Sequence, residues 1–184
     1  VVIPTYNRRS ILEKCLQALE HQDPSGEIET YEVVVVDDGS SDGTPDWLRQ
    51  EAARFPHIRL VEHQHGGPAE GRNRGVDHAK GDVIVFIDSD LVVTSSFLAS
   101  HARALSRRWN QQGNRLCFTY GAVINTANFD QPTAERHKLR DLSWAYFATG
   151  NVAIDREILE RSGLFDLGFR LYGWEDLELG ERLR

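Results

Sequence analysis

The sequence predicts an α/β domain with a mixed, mostly parallel sheet flanked by helices, and three observations carry that expectation. Runs of consecutive apolar, β-branched residues at 1–3, 33–36 and 83–87 read as short strands buried on both faces. Helical stretches alternate with such strands four times before residue 91, which is the pattern of a parallel sheet with right-handed crossovers. Polar residues follow the strands directly, at Pro4-Thr5-Tyr6, Asp37-Asp38 and Asp88-Ser89-Asp90, where open α/β sheets collect their ligand-binding groups.

Taken in order, Val1-Val2-Ile3 is a strand halted by Pro4. Asn7 is the expected cap of a helix over 8–21, in which Ile11, Leu12, Cys15, Leu16 and Leu19 form one apolar stripe. Asp23-Pro24-Ser25-Gly26 breaks it. The valines 33–36 form a second strand, Asp37-Asp38-Gly39-Ser40 a turn, and 45–54 a helix. Residues 58–61 read as a short strand, 68–79 as a helix and 83–87 as a strand ending at Asp88. Beyond Leu91 the alternation loosens: a helix at 96–108, a strand at 116–123 and an irregular or partly helical stretch at 125–142. A strand at 150–154, a helix at 155–162, a loop at 168–174 and a helix from about Glu175 complete the chain.

The 184 residues suffice for one domain, 1–184, with a first half at 1–92 carrying the polar strand ends and a second half at 93–184. The chain opens on a strand, contains no Met and stops within a helical stretch, so it is expected to be trimmed at both ends. A net charge of -7 argues against a nucleic-acid-coating surface, which needs a positive footprint. No apolar run approaches the roughly 20 residues of a membrane span. The expected location is the cytoplasm, with any membrane association through regions outside this segment. Cys15 and Cys117 form neither a disulfide framework nor a four-ligand zinc site, and both are expected to be buried thiols.

Four constellations carry chemistry. In Asp88-Ser89-Asp90, strand alternation puts both carboxylates on one side. Like charges facing one space call for a cation, and a hard divalent ion bridging to phosphate oxygens answers that need. The plain alternative is a turn with a helix cap. Asp37-Asp38-Gly39-Ser40 offers a carboxylate to a base N–H or ribose hydroxyl, or is simply an Asp-Gly turn. Gly66-Gly67-Pro68 precedes a helix whose N-terminus favours an anion, and Arg72 on that helix can pair with a diphosphate or stack on a base. Arg72 and Arg74 can equally be a solvated salt-bridged face. In Gly173-Trp174-Glu175-Asp176 a carboxylate opens a helix, either as a dipole partner or as a base for an attacking hydroxyl. His63 and His65 lack a ligand cluster at metal spacing and read as loop histidines.

The stretches VVIPTYNR, VVVVDDGSSDGT, GPAEGRNRG, VIVFIDSD, TGNVAIDREIL, GLFD and GWEDLELGERL together resemble the family 2 glycosyltransferases, whose fold is the Rossmann-like, nucleotide-binding A-type glycosyltransferase fold. The resemblance implies an inverting, metal-dependent transfer of a sugar from a nucleoside diphosphate, with UDP expected, to an acceptor hydroxyl in carbohydrate biosynthesis. Pro4, Thr5, Tyr6 and Asp38 would cradle the nucleoside, with Asp37 close by and Arg72 along the nucleotide. Asp88, with Ser89 beside it, would approach the ribose or sugar, and Asp90 would ligate Mn2+ or Mg2+ with Asp88. Gly150 and Asn151 would border the donor sugar and acceptor. Asp176 would be the catalytic base, with Glu175 beside it. The acceptor would be a glycan, a lipid-linked or a small molecule. Trp144, Tyr146, Tyr172 and Trp174 lie near the implied acceptor region, as sugar-stacking surfaces or as core.

Other functions fit less well. No Gly-x-Gly-x-x-Gly opens the first crossover and no Gly-Lys-Ser/Thr is present, which argues against hydride-transfer Rossmann enzymes and P-loop NTPases. A sugar nucleotidyltransferase would carry a Gly-rich, Arg-containing loop where Pro4-Thr5-Tyr6-Asn7 stands. A non-catalytic nucleotide- or glycan-binding module is the alternative of another class, against which the paired carboxylates argue.

Overall fold

The computed structural model of the chain describes residues 1–126, 128–131, 142–143, 146–169 and 174–184. Its main sheet contains β1 (Val2–Thr5), β2 (Val33–Asp37), β3 (Ile58–Glu62), β4 (Val83–Ile87), β5 (Phe118–Tyr120) and β8 (Asn151–Asp155), in the order β3-β2-β1-β4-β8-β5. A two-stranded ribbon pairs β6 (Val123–Ile124) with β7 (Leu142–Ser143). The first four strands are parallel, while β8 runs antiparallel to both β4 and β5. The expected mixed, mostly parallel architecture is therefore the one observed.

Strand alternation divides the core into two layers. Ile3, Val33, Val35, Val85 and Ile87 pack against α1 (Arg9–Glu20), α2 (Thr44–Gln50) and α4 (Phe97–Gln112). Val2, Val34, Val36, Ile84 and Phe86 pack against α3 (Pro68–His78), α5 (Arg156–Arg161) and α6 (Trp174–Arg182). The close seating of α3 depends on small residues. A Cβ on Gly75 would lie 2.2 Å from Val2 Cγ1, and one on Gly71 would lie 3.2 Å from Pro4 Cβ. Gly67, which opens α3, has φ +90, a left-handed value that side chains resist.

Several local expectations change. Pro4 does not end β1, which continues to Thr5. Val34 N donates to Val1 O and Asp38 N to Thr5 O, so odd residues of β1 turn their backbone groups to β2. The missing N–H of Pro4 therefore faces β4, where pairing stops at Val2↔Phe86. Asn7 is not a helix cap: it adopts φ 52, and its Oδ1 accepts from Ser41 N at 2.7 Å. The first turn of α1 is met instead by Asp42, whose Oδ2 accepts from Arg9 N at 3.0 Å. The helix expected over 45–54 is split into α2 and a 3-10 turn over Ala52–Arg54. The strand expected over 116–123 is split into β5 and β6. Cys15 is buried as expected, but Cys117 is only half-buried. Most of 125–142, Trp144, Tyr172 and residues 170–173 of the expected loop lie outside the described residues. Among the described residues no helix is long and apolar enough to cross a membrane.

Candidate active site

Parallel strands deliver their polar ends to one edge, and the side chains gathered there form two linked clusters. The first surrounds Arg72. Gly71 and Gly75 let α3 lie against β1 and β2, which brings Arg72 inward until its side chain is 4% exposed. Its Nη2 donates to Asp88 Oδ1 at 3.0 Å, and its Nη1 donates to Glu175 Oε1 at 3.3 Å. Nη1 also lies 3.5 Å from Asp176 Oδ1. One guanidinium thus faces three carboxylates from β4 and α6, with the Phe165 ring 5.6 Å beneath its Cζ.

Asp176 is held by β8's approach loop, where Thr149 donates to Oδ2 from its hydroxyl at 2.7 Å and from its backbone at 3.2 Å. The other oxygen, Oδ1, is buried without a hydrogen-bond donor among the described residues. Burial raises the Asp176 carboxyl above its ordinary value, opposed by the nearby Arg72 charge and the Thr149 bonds. The group is therefore a stronger base than an ordinary aspartate.

Asp88 and Asp90 leave the end of β4 differently than strand alternation foretells. Residues 89–90 form a turn, so the period of two does not extend past Ile87. Asp88 reaches Arg72 on the α3 side, whereas Asp90 is ion-paired with Arg8 at the entry to α1. Both carboxylates still act on Cys15, whose thiol is pushed up to about 12 chiefly by burial, then by Asp90 and Asp88. Ser89 between them is buried. A Cβ on Gly150 would stand 3.2 Å from Asp88 Oδ2, so this glycine leaves the carboxylate room on the β8 side.

The second cluster surrounds Asp38. Its Oδ1 accepts from Gly66 N at 2.8 Å and its Oδ2 from Gly67 N at 3.0 Å. His63, whose side chain is almost wholly buried, places Nε2 3.1 Å from Oδ1. His65 places Nδ1 2.7 Å from Oδ2 and stacks on Tyr6 with ring centroids 4.4 Å apart. Asp37 is turned otherwise: its Oδ2 accepts from Ser40 N at 2.9 Å, shaping the turn after β2. Its Oδ1, and the hydroxyl of its register partner Thr5, are buried without hydrogen-bond partners among the described residues.

Asn151 sits at the start of β8, where His101 Nε2 donates to its Oδ1 at 2.8 Å and its Nδ2 donates to Ala122 O at 3.4 Å. His101 Nδ1 accepts from Thr119 at 2.7 Å. Beside this row a cavity of about 390 Å³ is lined by Asp90, Leu91, Phe97, Val123, Gly150 and Asn151 among others. Tyr146 and Trp174 are exposed rather than core.

The structure thus brings Thr5, Tyr6, Asp38, Arg72, Asp88, Asp90, Gly150, Asn151, Glu175 and Asp176 to one edge. Sequence reading missed Arg8, His63, His65, His101 and Thr149. Arg8 and Thr149 lie inside quoted motifs and were within reach. The histidines have partners across the fold that spacing along the chain does not reveal. Among the described residues no group of three His, Cys, Asp or Glu side chains is preformed to hold a metal.

Known proteins resemble this chain throughout. The family model described as glycosyl transferase family 2 matches residues 1–163. The glycosyltransferase YfnE of Bacillus subtilis is 26% identical across 100% of the chain and 59% of its own length. Validoxylamine A glucosyltransferase of Streptomyces hygroscopicus is 32% identical across 100% of the chain and 50% of its own length. The mannosyltransferase PcManGT of Pyrobaculum calidifontis, solved with GDP-Man and Mn2+, superposes with a TM-score of 0.69 at 27% identity, covering 99% of this chain and 50% of that one. S. aureus TarS shares the fold, with a TM-score of 0.68 at 23% identity over 99% of this chain and 53% of that one. The chain therefore spans about half the length of these relatives.

Proposed function

The chain belongs to glycosyl transferase family 2, with the A-type fold, and from that premise we propose that it transfers a sugar from a UDP-sugar to an acceptor hydroxyl with inversion. The observation that carries the reading is the burial of Arg72 among Asp88, Glu175 and Asp176 at the carboxyl edge of the sheet. Among the described residues one guanidinium is shared by the three carboxylates, and Asp176 Oδ1 is buried without a hydrogen-bond partner. A buried carboxylate in the state of Asp176 favours the arrival of a cation.

The donor set fits a divalent metal. Asp90 and Asp88 would turn from Arg8 and Arg72 to supply hard oxygen ligands, and Mg2+ or Mn2+ is commonly held by one or two carboxylates completed by substrate phosphates and water. The lack of a preformed three-residue cage among the described residues accords with that mode. When bound, the ion supplies counter-charge to the departing diphosphate. PcManGT was solved with GDP-Man and Mn2+, which supports a nucleotide-sugar donor and a divalent ion here.

The chain's own residues do the rest. Tyr6 and Asp38 receive the nucleobase, with Pro4, Thr5 and Asp37 shaping the floor. Arg72 holds Asp88 in place and presents charge toward the diphosphate. Gly150 and Asn151 border the sugar. Asp176, oriented by Thr149, takes the proton of the acceptor hydroxyl as that oxygen bonds to the anomeric carbon. The bond from that carbon to the diphosphate oxygen breaks in the same displacement, and the leaving diphosphate keeps the electron pair. Glu175, buried beside Asp176, keeps Arg72 oriented.

A thermal-shift panel of nucleotide sugars with manganese tests the reading. A donor at a hundred times its dissociation constant stabilises by about 2.7 kcal/mol. At least one donor is expected to raise Tm in the presence of the metal, and a panel without any shift overturns the proposal.

A further inference from the structure

The Asp38 carboxylate is already occupied. Gly66 N and Gly67 N donate to its two oxygens from behind, at 2.8 and 3.0 Å. The buried His63 ring closes a second side, with Nε2 3.1 Å from Oδ1. The remaining approach is filled by His65. Its Nδ1 donates to the Asp38 main-chain carbonyl at 3.1 Å and lies 2.7 Å from Oδ2. Both neighbours of that nitrogen are acceptors, so Nδ1 carries the proton. The same imidazole rests against the Tyr6 ring at 4.4 Å and 33°. A flat heteroaromatic ring on Tyr6 that aims an N–H at Asp38 has the outline of a bound nucleobase.

We propose that His65 stands in the nucleobase's place and is a displaceable plug of the nucleotide pocket. The inference rests on the reading of Tyr6 and Asp38 as the nucleoside cradle, and it deepens that reading. The two glycine donors are main-chain groups fixed by the turn into α3, and His63 is enclosed. His65 alone of the four groups around the carboxylate is a solvent-facing side chain, 60% exposed, so it can swing out without unpacking anything. A base displaces it by offering both a larger stacking face to Tyr6 and an N–H to Asp38. A ring that lacks the N–H gives Asp38 no donor in exchange for the one that His65 withdraws, and binds more weakly.

The experiment is calorimetric titration of UDP and of GDP, each with manganese chloride, into the wild-type chain, His65→Ala and Asp38→Asn. If the plug is closed most of the time, its removal multiplies the fraction of open pockets, and apparent affinity rises by about three- to tenfold. His65→Ala is expected to tighten UDP and GDP by the same factor and to leave the ratio between them unchanged. Unchanged or weaker binding overturns the plug and makes His65 a wall of the pocket or a bystander. Asp38→Asn separates the two ideas. Weaker binding in Asp38→Asn with no change in His65→Ala removes the plug alone, whereas no change in either variant removes the cradle as well. A nitrogen-15 spectrum of the wild-type histidines provides a readout without mutation: the Nδ1-protonated signal of His65 is expected to move on adding the nucleotide. A signal that stays in place at saturation contradicts displacement.

Discussion

Arg72 Nη2 donates to Asp88 Oδ1 at 3.0 Å, a bond that ties the third crossover helix to the end of β4 and sets the charge balance of the whole edge. Because the guanidinium is buried, its removal takes away a cation that Glu175 and Asp176 share. Breaking a buried pair from one side typically costs about 3–5 kcal/mol. Arg72→Ala is expected to lower the denaturant midpoint accordingly. Arg72→Lys should fail to restore it, since a point charge cannot reach Asp88 and Glu175 together. Midpoints within about 0.5 kcal/mol of wild type, the range of a neutral surface change, would contradict the arrangement.

Asp176 is raised by burial, so its deprotonated form is lost at a higher pH than for an ordinary aspartate of about 3.9. The acid limb of the kcat/KM profile reports groups of the free enzyme. It is expected above that ordinary value, with transfer falling as pH drops through it. Asp176→Asn should keep nucleotide binding and lose about 10²- to 10⁴-fold in turnover. Near-wild-type turnover retires Asp176 as the base.

Burial lowers the His101 value, opposed in part by its bond to Asn151. A depressed histidine binds fewer protons folded than unfolded, so its contribution is present above the unfolded value of about 6.5 and is lost as pH falls below it. Wild-type Tm should therefore drop more steeply than that of His101→Gln between about pH 7.5 and 5. Parallel slopes would show that the buried imidazole is not the titrating group.

Gly75 is the tighter of the two glycine contacts between α3 and β1. A valine there has no room, because Val2 is wholly buried and its Cγ1 lies 2.2 Å from the added Cβ. Gly75→Val should destabilise by about 1–3 kcal/mol and weaken nucleotide binding as Arg72 shifts with its helix. Wild-type stability measured by denaturation would show that α3 is seated differently.

Much of this was readable along the chain, for a physical reason. Val33–Val36 and Val83–Ile87 are apolar on both faces because both faces of the sheet are covered, and that leaves a direct signal. The polar residues after them follow from topology, since parallel strands share one ligand-facing edge. What local pattern cannot show is pairing direction: β8 carries the same apolar run as a parallel strand yet runs antiparallel between β4 and β5. Nor does spacing reveal that His63 and His65 close on Asp38, since that meeting depends on β2 and β3 being neighbours. The shared-face argument for Asp88 and Asp90 failed at Ser89, where the strand had already become a turn.

The most direct test of the central claim is calorimetric titration of UDP and GDP into wild-type protein and Asp90→Ala, with and without manganese chloride. Wild-type protein should bind at least one of the two nucleotides far more tightly with the metal present. Asp90→Ala should lose that metal-dependent gain. Equal affinity and equal metal dependence in the two proteins would contradict a cation held at the end of β4.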